Sequence, residues 1–301
     1  MLFTDQVIKT LLSLNYSACA GVPCSFLKPV INGVIDSPEM NYVGASSEGE
    51  AVGISLGTYL AGQKTITMCQ NSGFGNMVNP LTSLNYPFRI PTLLVVTWRG
   101  QPGIKDEPQH EQMGTIMPKL FETLSIPWEM FPDNTESLYE VIKQADRYMQ
   151  SEQRPFGLLI KKGTVSPYNL HDHTQTVRTQ IQSQNYLGVT PESLLTRTQA
   201  LEILLGELSG NEAVIATTGK TGRELFELSD RPNHLYVVGG MGTASAIGLG
   251  ISHSLKQQST VVIDGDGAAL MKLGSLSYYE GQMTKMCSRI EHCGYGIRFR
   301  F

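Results

Sequence analysis

Two short stretches in the second half of the chain carry residue types suited to holding a charged ligand. An apolar strand, Leu235 to Val238, runs into the glycine turn Gly239-Gly240-Met241-Gly242, and a second, Thr260 to Ile263, ends in Asp264-Gly265-Asp266-Gly267. Ligands of open α/β sheets bind where parallel strands end. Glycine lets the backbone come close, so the N–H groups of such a turn and of the helix after it can cradle phosphate. The Asp266 carboxylate is the type that holds a divalent cation beside that phosphate. Taken alone, Gly240-Met241-Gly242-Thr243-Ala244-Ser245 is also close to the dinucleotide pattern G-x-G-x-x-G/A, with Asp264 about where a ribose-binding acid would stand. A nicotinamide site is therefore the alternative. The second turn favours a diphosphate and a metal, because a ribose-binding acid has no need of Gly265-Asp266-Gly267.

In the first half, Glu48 follows a strand and precedes a helix of small residues, an unusual place for a carboxylate unless something pairs with it. Glu48 and Glu50 could also simply complement the helix dipole. Ser72, in Asn71-Ser72-Gly73, lacks the G-x-S-x-G frame of a hydrolase nucleophile. His171 and His173 read as solvent-exposed imidazoles, and Cys19 and Cys24 do not form a C-x-x-C pair.

The elements that must position these residues alternate between strand and helix, which argues an α/β fold with mostly parallel sheets. Helix Thr4 to Leu14 is followed by a strand near Ala18, helix Phe26 to Ile35, a strand at Tyr42-Val43 and helix Glu50 to Leu60. Gly53 and Gly57 in that last helix predict close packing against another element. Strand Lys64 to Cys69, strand Thr92 to Thr97, a long polar loop from Trp98 to Met113, helix Met117 to Leu124, helix Glu136 to Met149 and strand Phe156 to Ile160 complete a first domain. A polar Gln/Thr/Ser-rich segment from Lys162 to Leu194 reads as a linker. Helix Arg197 to Leu208, strand Ala213 to Ala216, the turn Thr217 to Gly222 and helix Arg223 to Leu228 open a second. A length of 301 residues fits two domains, and a net charge of −4 with 17% charged residues carries no nucleic-acid signature. Five cysteines without zinc-ligand grouping predict reduced thiols in the cytoplasm. Asp5, Lys9 and Asn15 interrupt any signal-peptide core, and no run approaches the roughly 20 apolar residues that span a bilayer.

Together these stretches resemble the thiamine-diphosphate-dependent 2-oxoacid decarboxylases. The resemblance is carried by GVPCSFLKP (Gly21 to Pro29), SSEGEAVGISLG (Ser46 to Gly57), QNSGFGNMVNP (Gln70 to Pro80), WRGQPGIKDEPQH (Trp98 to His110), TTGKTGREL (Thr217 to Leu225), GGMGTASAIGLG (Gly239 to Gly250) and IDGDGAALM (Ile263 to Met271). It implies a pyrimidine-binding domain at 1–170, a linker at 171–194 and a diphosphate-binding domain at 195–301. The implied cofactors are thiamine diphosphate and Mg²⁺, with the cofactor lying between two subunits of a homodimer or homotetramer. The implied partner is a small-molecule 2-oxoacid, with no nucleic acid and no membrane. By its place nine residues before Gly57, Glu48 matches the cofactor-activating glutamate that hydrogen-bonds N1′ of the aminopyrimidine. His110 and Ser25 are the other implied catalytic residues. Asn71, Ser72, Gly240, Met241, Gly242, Gly265, Asp266, Gly267 and Ala268 are implied to hold the cofactor, Asp266 to bind the metal, and Arg99, Lys105, Lys220 and Arg223 to bind substrate anions. The implied reaction is decarboxylation of 3-phosphonopyruvate to phosphonoacetaldehyde and CO2, within 2-aminoethylphosphonate-type phosphonate biosynthesis. Sulfopyruvate is the alternative substrate, and a silent chain that only dimerises is the alternative role.

From about Ser277 the chain departs from the class pattern. The motif that begins at Gly265 should close with an asparagine, the second metal ligand, yet no Asn follows Asn233. This predicts an incomplete second domain with an exposed sheet edge and weak metal and cofactor binding. Calorimetry with thiamine diphosphate and Mg²⁺ should accordingly give a dissociation constant well above the micromolar range, and a micromolar value would contradict it.

Overall fold

The strands at the centre of the first half are buried almost throughout, as strands covered on both faces must be. The computed structural model describes residues 1–171, 195–276, 286–291 and 296–298, and the chain divides into two units, Met1–His173 and Thr174–Phe301. In the first unit the order is α1 (Thr4–Ser13), β1 (Tyr16–Gly21), α2 (Lys28–Asp36), β2 (Asn41–Gly44), α3 (Glu48–Leu60), β3 (Lys64–Gln70), α4 (Phe74–Pro80), α5 (Tyr86–Phe88), β4 (Leu93–Thr97), α6 (Glu111–Thr123), β5 (Trp128–Met130), α7 (Thr135–Glu152) and β6 (Phe156–Ile160). The six strands form one parallel sheet in the order β2-β1-β3-β4-β6-β5.

Successive side chains along each strand serve opposite layers. Ile66, Met68, Leu93, Val95, Phe156, Leu158 and Ile160 join a core with α1, α2 and α7, whereas Cys69, Leu94, Val96 and Leu159 join one with Val52, Phe74, Met77, Met117 and Phe121. Helix α3 is buried continuously from Gly49 to Thr58, the close packing that its glycines predict. Its first residue, Glu48, is the one left half-buried at the carboxyl edge of the sheet.

Helix α6 starts at Glu111, earlier than the expected Met117. A proline near a helix start is a start signal, and Pro118 misleads because the helix runs through it. Lacking an N–H, Pro118 leaves the carbonyl of Gly114 without its helical donor. The indole N–H of Trp98 donates to that carbonyl at 2.7 Å. The expected linker at 171–194 lies outside the described residues apart from His171, whose backbone N and Nδ1 bond Asp36.

The second unit runs α8 (Arg197–Glu207), β7 (Ala213–Ala216), α9 (Lys220–Leu228), β8 (His234–Tyr236), α10 (Ala244–Ser254), β9 (Thr260–Gly265), α11 (Asp266–Met271), β10 (Met286–Glu291) and β11 (Gly296–Arg298). Its sheet order is β11-β10-β9-β7-β8, parallel except for β10 with β11. Leu201, Val214, Ala216, Leu225, Val261 and Ile263 make its core. The expected exposed edge lies further out than β9: Met286–Glu291 pairs with β9 from Met286 opposite Thr260 to Glu291 opposite Gly265, and Gly296–Arg298 is the strand at that edge of the described sheet. Ladder pairing uses backbone groups, so Met286–Glu291 needs no apolar run to form a strand. The rest of the expected tail, at 277–285, 292–295 and 299–301, lies outside the described residues. Among the described residues no helix is long and apolar enough to cross a membrane.

At the opposite edge of the first sheet, buried Tyr16 donates its hydroxyl to Asp146 at 2.6 Å, and Lys64 Nζ reaches the other Asp146 oxygen at 2.6 Å and the Leu14 carbonyl at 3.0 Å. Burial and the adjacent carboxylate push the tyrosine hydroxyl well above its ordinary range, so it remains a donor. Asp146→Ala strands that buried hydroxyl and should cost about 3 kcal/mol. Asp146→Asn, which keeps an acceptor, should cost less than half as much in urea unfolding.

Candidate active site

In a sheet ordered 2-1-3-4-6-5 the order in which strands are added reverses between β1 and β3, and ligands bind outside the carboxyl ends of the strands at such a point. The turn after β3 meets the start of α3 there. A Cβ at Gly73 would lie 1.9 Å from Glu48 Oε1 and 2.2 Å from Glu48 Cδ. Asn76 Nδ2 donates to Glu48 Oε2 at 2.8 Å. Glu48 Oε1 has no hydrogen-bond partner among the described residues. Glu50, by contrast, is buried and takes the hydroxyl of Ser46. Of the two acids, Glu48 is the one with a carboxylate oxygen still to satisfy at the binding edge.

Behind it, Cys24 Sγ lies 3.2 Å from Gln70 Oε1 and 3.8 Å from Thr97 Oγ1, at the ends of β1, β3 and β4. Asn71 is wholly buried. Its amide donates to the Arg99 carbonyl at 2.8 Å and its Oδ1 has no partner. Ser72 is exposed and its hydroxyl accepts from Gln70 Nε2 at 2.5 Å, and among the described residues no imidazole is bonded to it as a hydrolase base would be. Ser25 is exposed on the turn after β1.

The loop after β4 is folded on Asp106, which accepts from Arg99 Nε at 2.8 Å, Arg99 Nη2 at 2.6 Å and the backbone N–H of Gly100 and Glu107, both at 2.9 Å. These donors, the guanidinium first, hold the Asp106 carboxyl well below the usual carboxylate range. The Arg99 guanidinium also lies 4.8 Å over the Phe26 ring. His110 is buried at the start of α6, with Nδ1 unpartnered and Nε2 3.7 Å from Glu107 Oε2. Lys105 is exposed.

In the second unit both glycine turns stand at the carboxyl ends of β8 and β9, each parallel to β7. The first lies against the helix that follows the second: a Cβ at Gly242, at φ 82°, would lie 2.7 Å from Lys272 Cγ and 2.9 Å from the Ala268 carbonyl oxygen. Met241 is exposed, and a Cβ at Gly267 would meet nothing within 4 Å, so the start of α11 is open. Asp264 is buried, and Ser245 donates to it at 3.2 Å. Burial pushes its carboxyl up, against the hydroxyls of Thr217 and Ser245 and the Gly265 N–H. A ribose-binding acid has to face the crevice, so this placement removes the support for a nicotinamide site. Gly265 serves as the cap of α11 and Asp266 as its first residue. Lys220 and Arg223 are exposed on the first turn of α9, with Arg223 Nε donating to the Gly219 carbonyl at 3.2 Å.

An open helix start beside a close glycine turn fits a diphosphate. Among the described residues no three acidic, histidine or cysteine side chains cluster. The single carboxylate of Asp266 suits an ion such as Mg²⁺, which keeps waters and phosphate oxygens among its ligands. Sequence reasoning missed Asn76, Cys24, Gln70, Thr97 and Asp106. All of these but Thr97 lay inside quoted motifs, but their partners are set by how the segments fold together.

Residues 1–118 match the family model for the thiamine pyrophosphate enzyme N-terminal TPP binding domain. The chain is 41% identical over 278 residues to a phosphonopyruvate decarboxylase of Streptomyces viridochromogenes, covering 92% of this chain and 70% of the relative. It is 28% identical over 288 residues to a sulfopyruvate decarboxylase of Methanosarcina acetivorans, covering 90% of this chain and 70% of the relative. Among solved structures, benzoylformate decarboxylase from Polynucleobacter necessarius superposes with a TM-score of 0.71 at 13% identity, over 97% of this chain and 86% of that one.

The atoms that a Cβ at position 73 would strike all lie beyond Cβ of Glu48. Gly73→Ala should therefore destabilise by about 1–3 kcal/mol through overpacking. Adding Glu48→Ala should recover most of that loss. Additive losses in the double variant, measured by denaturant unfolding, would show that the two positions do not meet.

Proposed function

The chain belongs to the phosphonopyruvate decarboxylase family of thiamine-diphosphate-dependent 2-oxoacid decarboxylases, and from that premise we propose that it releases CO2 from 3-phosphonopyruvate, yielding phosphonoacetaldehyde for phosphonate biosynthesis, as a homodimer or homotetramer. The observation that carries this reading is the half-buried Glu48 carboxylate, fixed by Asn76 and the bare backbone of Gly73, with Oε1 left to bond. The preference for phosphonopyruvate over sulfopyruvate rests on the higher identity, 41% against 28%, over spans of like extent.

When bound, thiamine diphosphate supplies the carbon nucleophile and the electron sink for loss of CO2. Glu48 would bind the aminopyrimidine through its carboxylate and hold a proton there, a transfer that a shielded and oriented carboxylate performs better than a solvated one. Gly240, Met241, Gly242, Gly265, Gly267 and Ala268 would receive the diphosphate, and Asp266 would give the protein's carboxylate to Mg²⁺. Asn71 and Ser72 would border the cofactor from the first unit. Ser25 and His110 would bind substrate oxygens or move a proton, and Lys105, Lys220 and Arg223 would supply cations for its two anionic groups. Excluding water favours all of these contacts, because charge pairs strengthen as the local dielectric falls.

CO2 release by the whole chain, with millimolar Mg²⁺ and excess thiamine diphosphate, tests the reading. The expected outcome is at least about tenfold higher kcat/KM for phosphonopyruvate than for sulfopyruvate, with pyruvate lower still. The reverse order would reassign the substrate to sulfopyruvate. No release from any 2-oxoacid, together with a dimer in sedimentation, would leave only the dimerising role.

A further inference from the structure

The loop from Trp98 to His110 is pinned at both ends and in its middle. Trp98 is tied to α6 through the Gly114 carbonyl, the Arg99 carbonyl to buried Asn71, and His110 opens α6. Gly114 itself admits the loop, since a Cβ there would sit 1.7 Å from the Gly100 carbonyl oxygen. At the centre lies the Arg99–Asp106 pair. Two guanidinium nitrogens of Arg99 are spent on Asp106, one of them lying 3.7 Å from Glu107 as well, and its flat face covers Phe26. Asp106 in turn takes four hydrogen bonds, two of them from the backbone of the loop. An anionic substrate could take the Nε and Nη2 edge of this guanidinium only by displacing a carboxylate that also holds the loop together. Lys105, next in the chain to Asp106, is exposed and makes no hydrogen bond or ion pair with the described residues.

We infer that Asp106 is a positioning residue: it occupies the Nε–Nη2 fork of Arg99 and sets the loop so that Lys105 is the cation offered to the phosphonate. The inference rests on the decarboxylase reading above and assigns to Asp106 and Arg99 a role distinct from direct substrate contact. Bidentate geometry suits it, because a planar fork held by two parallel bonds fixes orientation as well as charge. The depressed Asp106 carboxyl agrees with this, since the pair stays intact as the pH falls through the ordinary carboxylate range.

The sign of one kinetic effect separates this arrangement from its rival. Asp106→Asn should raise KM for phosphonopyruvate by about tenfold or more, with kcat within about threefold of the parent. Were Arg99 the anion-binding residue restrained by Asp106, the same change would free it and lower KM. Hydrogen exchange at the Gly100 and Glu107 amides should quicken in Asp106→Asn, while thiamine diphosphate affinity stays within about twofold. Asp106→Glu, which restores the charge, should recover part of KM. Because Asp106 variants unsettle the loop, Lys105→Met provides a second arm. This exposed change should leave the melting temperature within about 1 °C and raise KM by about tenfold. An unchanged KM in Lys105→Met, or a lowered KM in Asp106→Asn, overturns the inference. If the parent chain releases no CO2, the decarboxylase reading fails by itself. Calorimetric binding of phosphonopyruvate should then rank the parent above both variants, and equal affinities would overturn the inference too.

Discussion

The carboxylate of Glu48 fills the space in which any side chain at position 73 would have to begin. That one exclusion joins the segments that follow β2 and β3, strands that flank β1 in the sheet. It works because α3 is a buried rod from Gly49 onward, so its first residue is delivered to the carboxyl edge with little freedom. Asn76, on the first turns of α4, then chooses which carboxylate oxygen remains open. Neighbouring Glu50 shows what the same residue type does without this arrangement, buried and bonded to Ser46.

The same device recurs wherever loops meet at a binding edge. Gly114 lets the loop after β4 lie on α6, and Gly242 lets the turn before α10 lie on α11. At Gly73 and Gly114 an oxygen occupies the place of a missing Cβ, and at Gly242 the Lys272 side chain and the Ala268 carbonyl crowd it. Polar atoms left over at these junctions find unusual partners, as the Gly114 carbonyl does in the Trp98 indole once Pro118 has withdrawn its helical donor. Binding edges built from close backbone approaches are stiff, and a stiff edge presents its few side chains in fixed directions.

The alternation of strands and helices was legible because its cause is local: apolar runs in strands covered on both faces, and small residues in a helix packed on every side. Glu48 was legible as a carboxylate between a strand and a glycine-bearing helix, but that place alone did not separate it from Glu50; the family resemblance did. The start of α6 was not, since Pro118 mimics a first-turn proline and nothing nearby in sequence reveals that Trp98 compensates for it. Met286–Glu291 was missed because backbone pairing with β9 leaves no apolar signature in so short a stretch. Arg99 was legible as a cation of this loop, but its pairing with Asp106 was not, because that depends on how the intervening loop folds. Residue type announces what a group can do, and only the fold decides what it is already doing.

With thiamine diphosphate bound as proposed, the Glu48 carboxylate, held in place by Gly73 and Asn76, would promote loss of the thiazolium C2 proton. The most direct test of this central claim is the rate at which that proton exchanges into D2O on the protein, followed by NMR after acid quench. The account predicts that Glu48→Gln slows the exchange by at least about a hundredfold, with cofactor affinity changed far less. Exchange as fast in Glu48→Gln as in the parent, at equal cofactor occupancy, would contradict it.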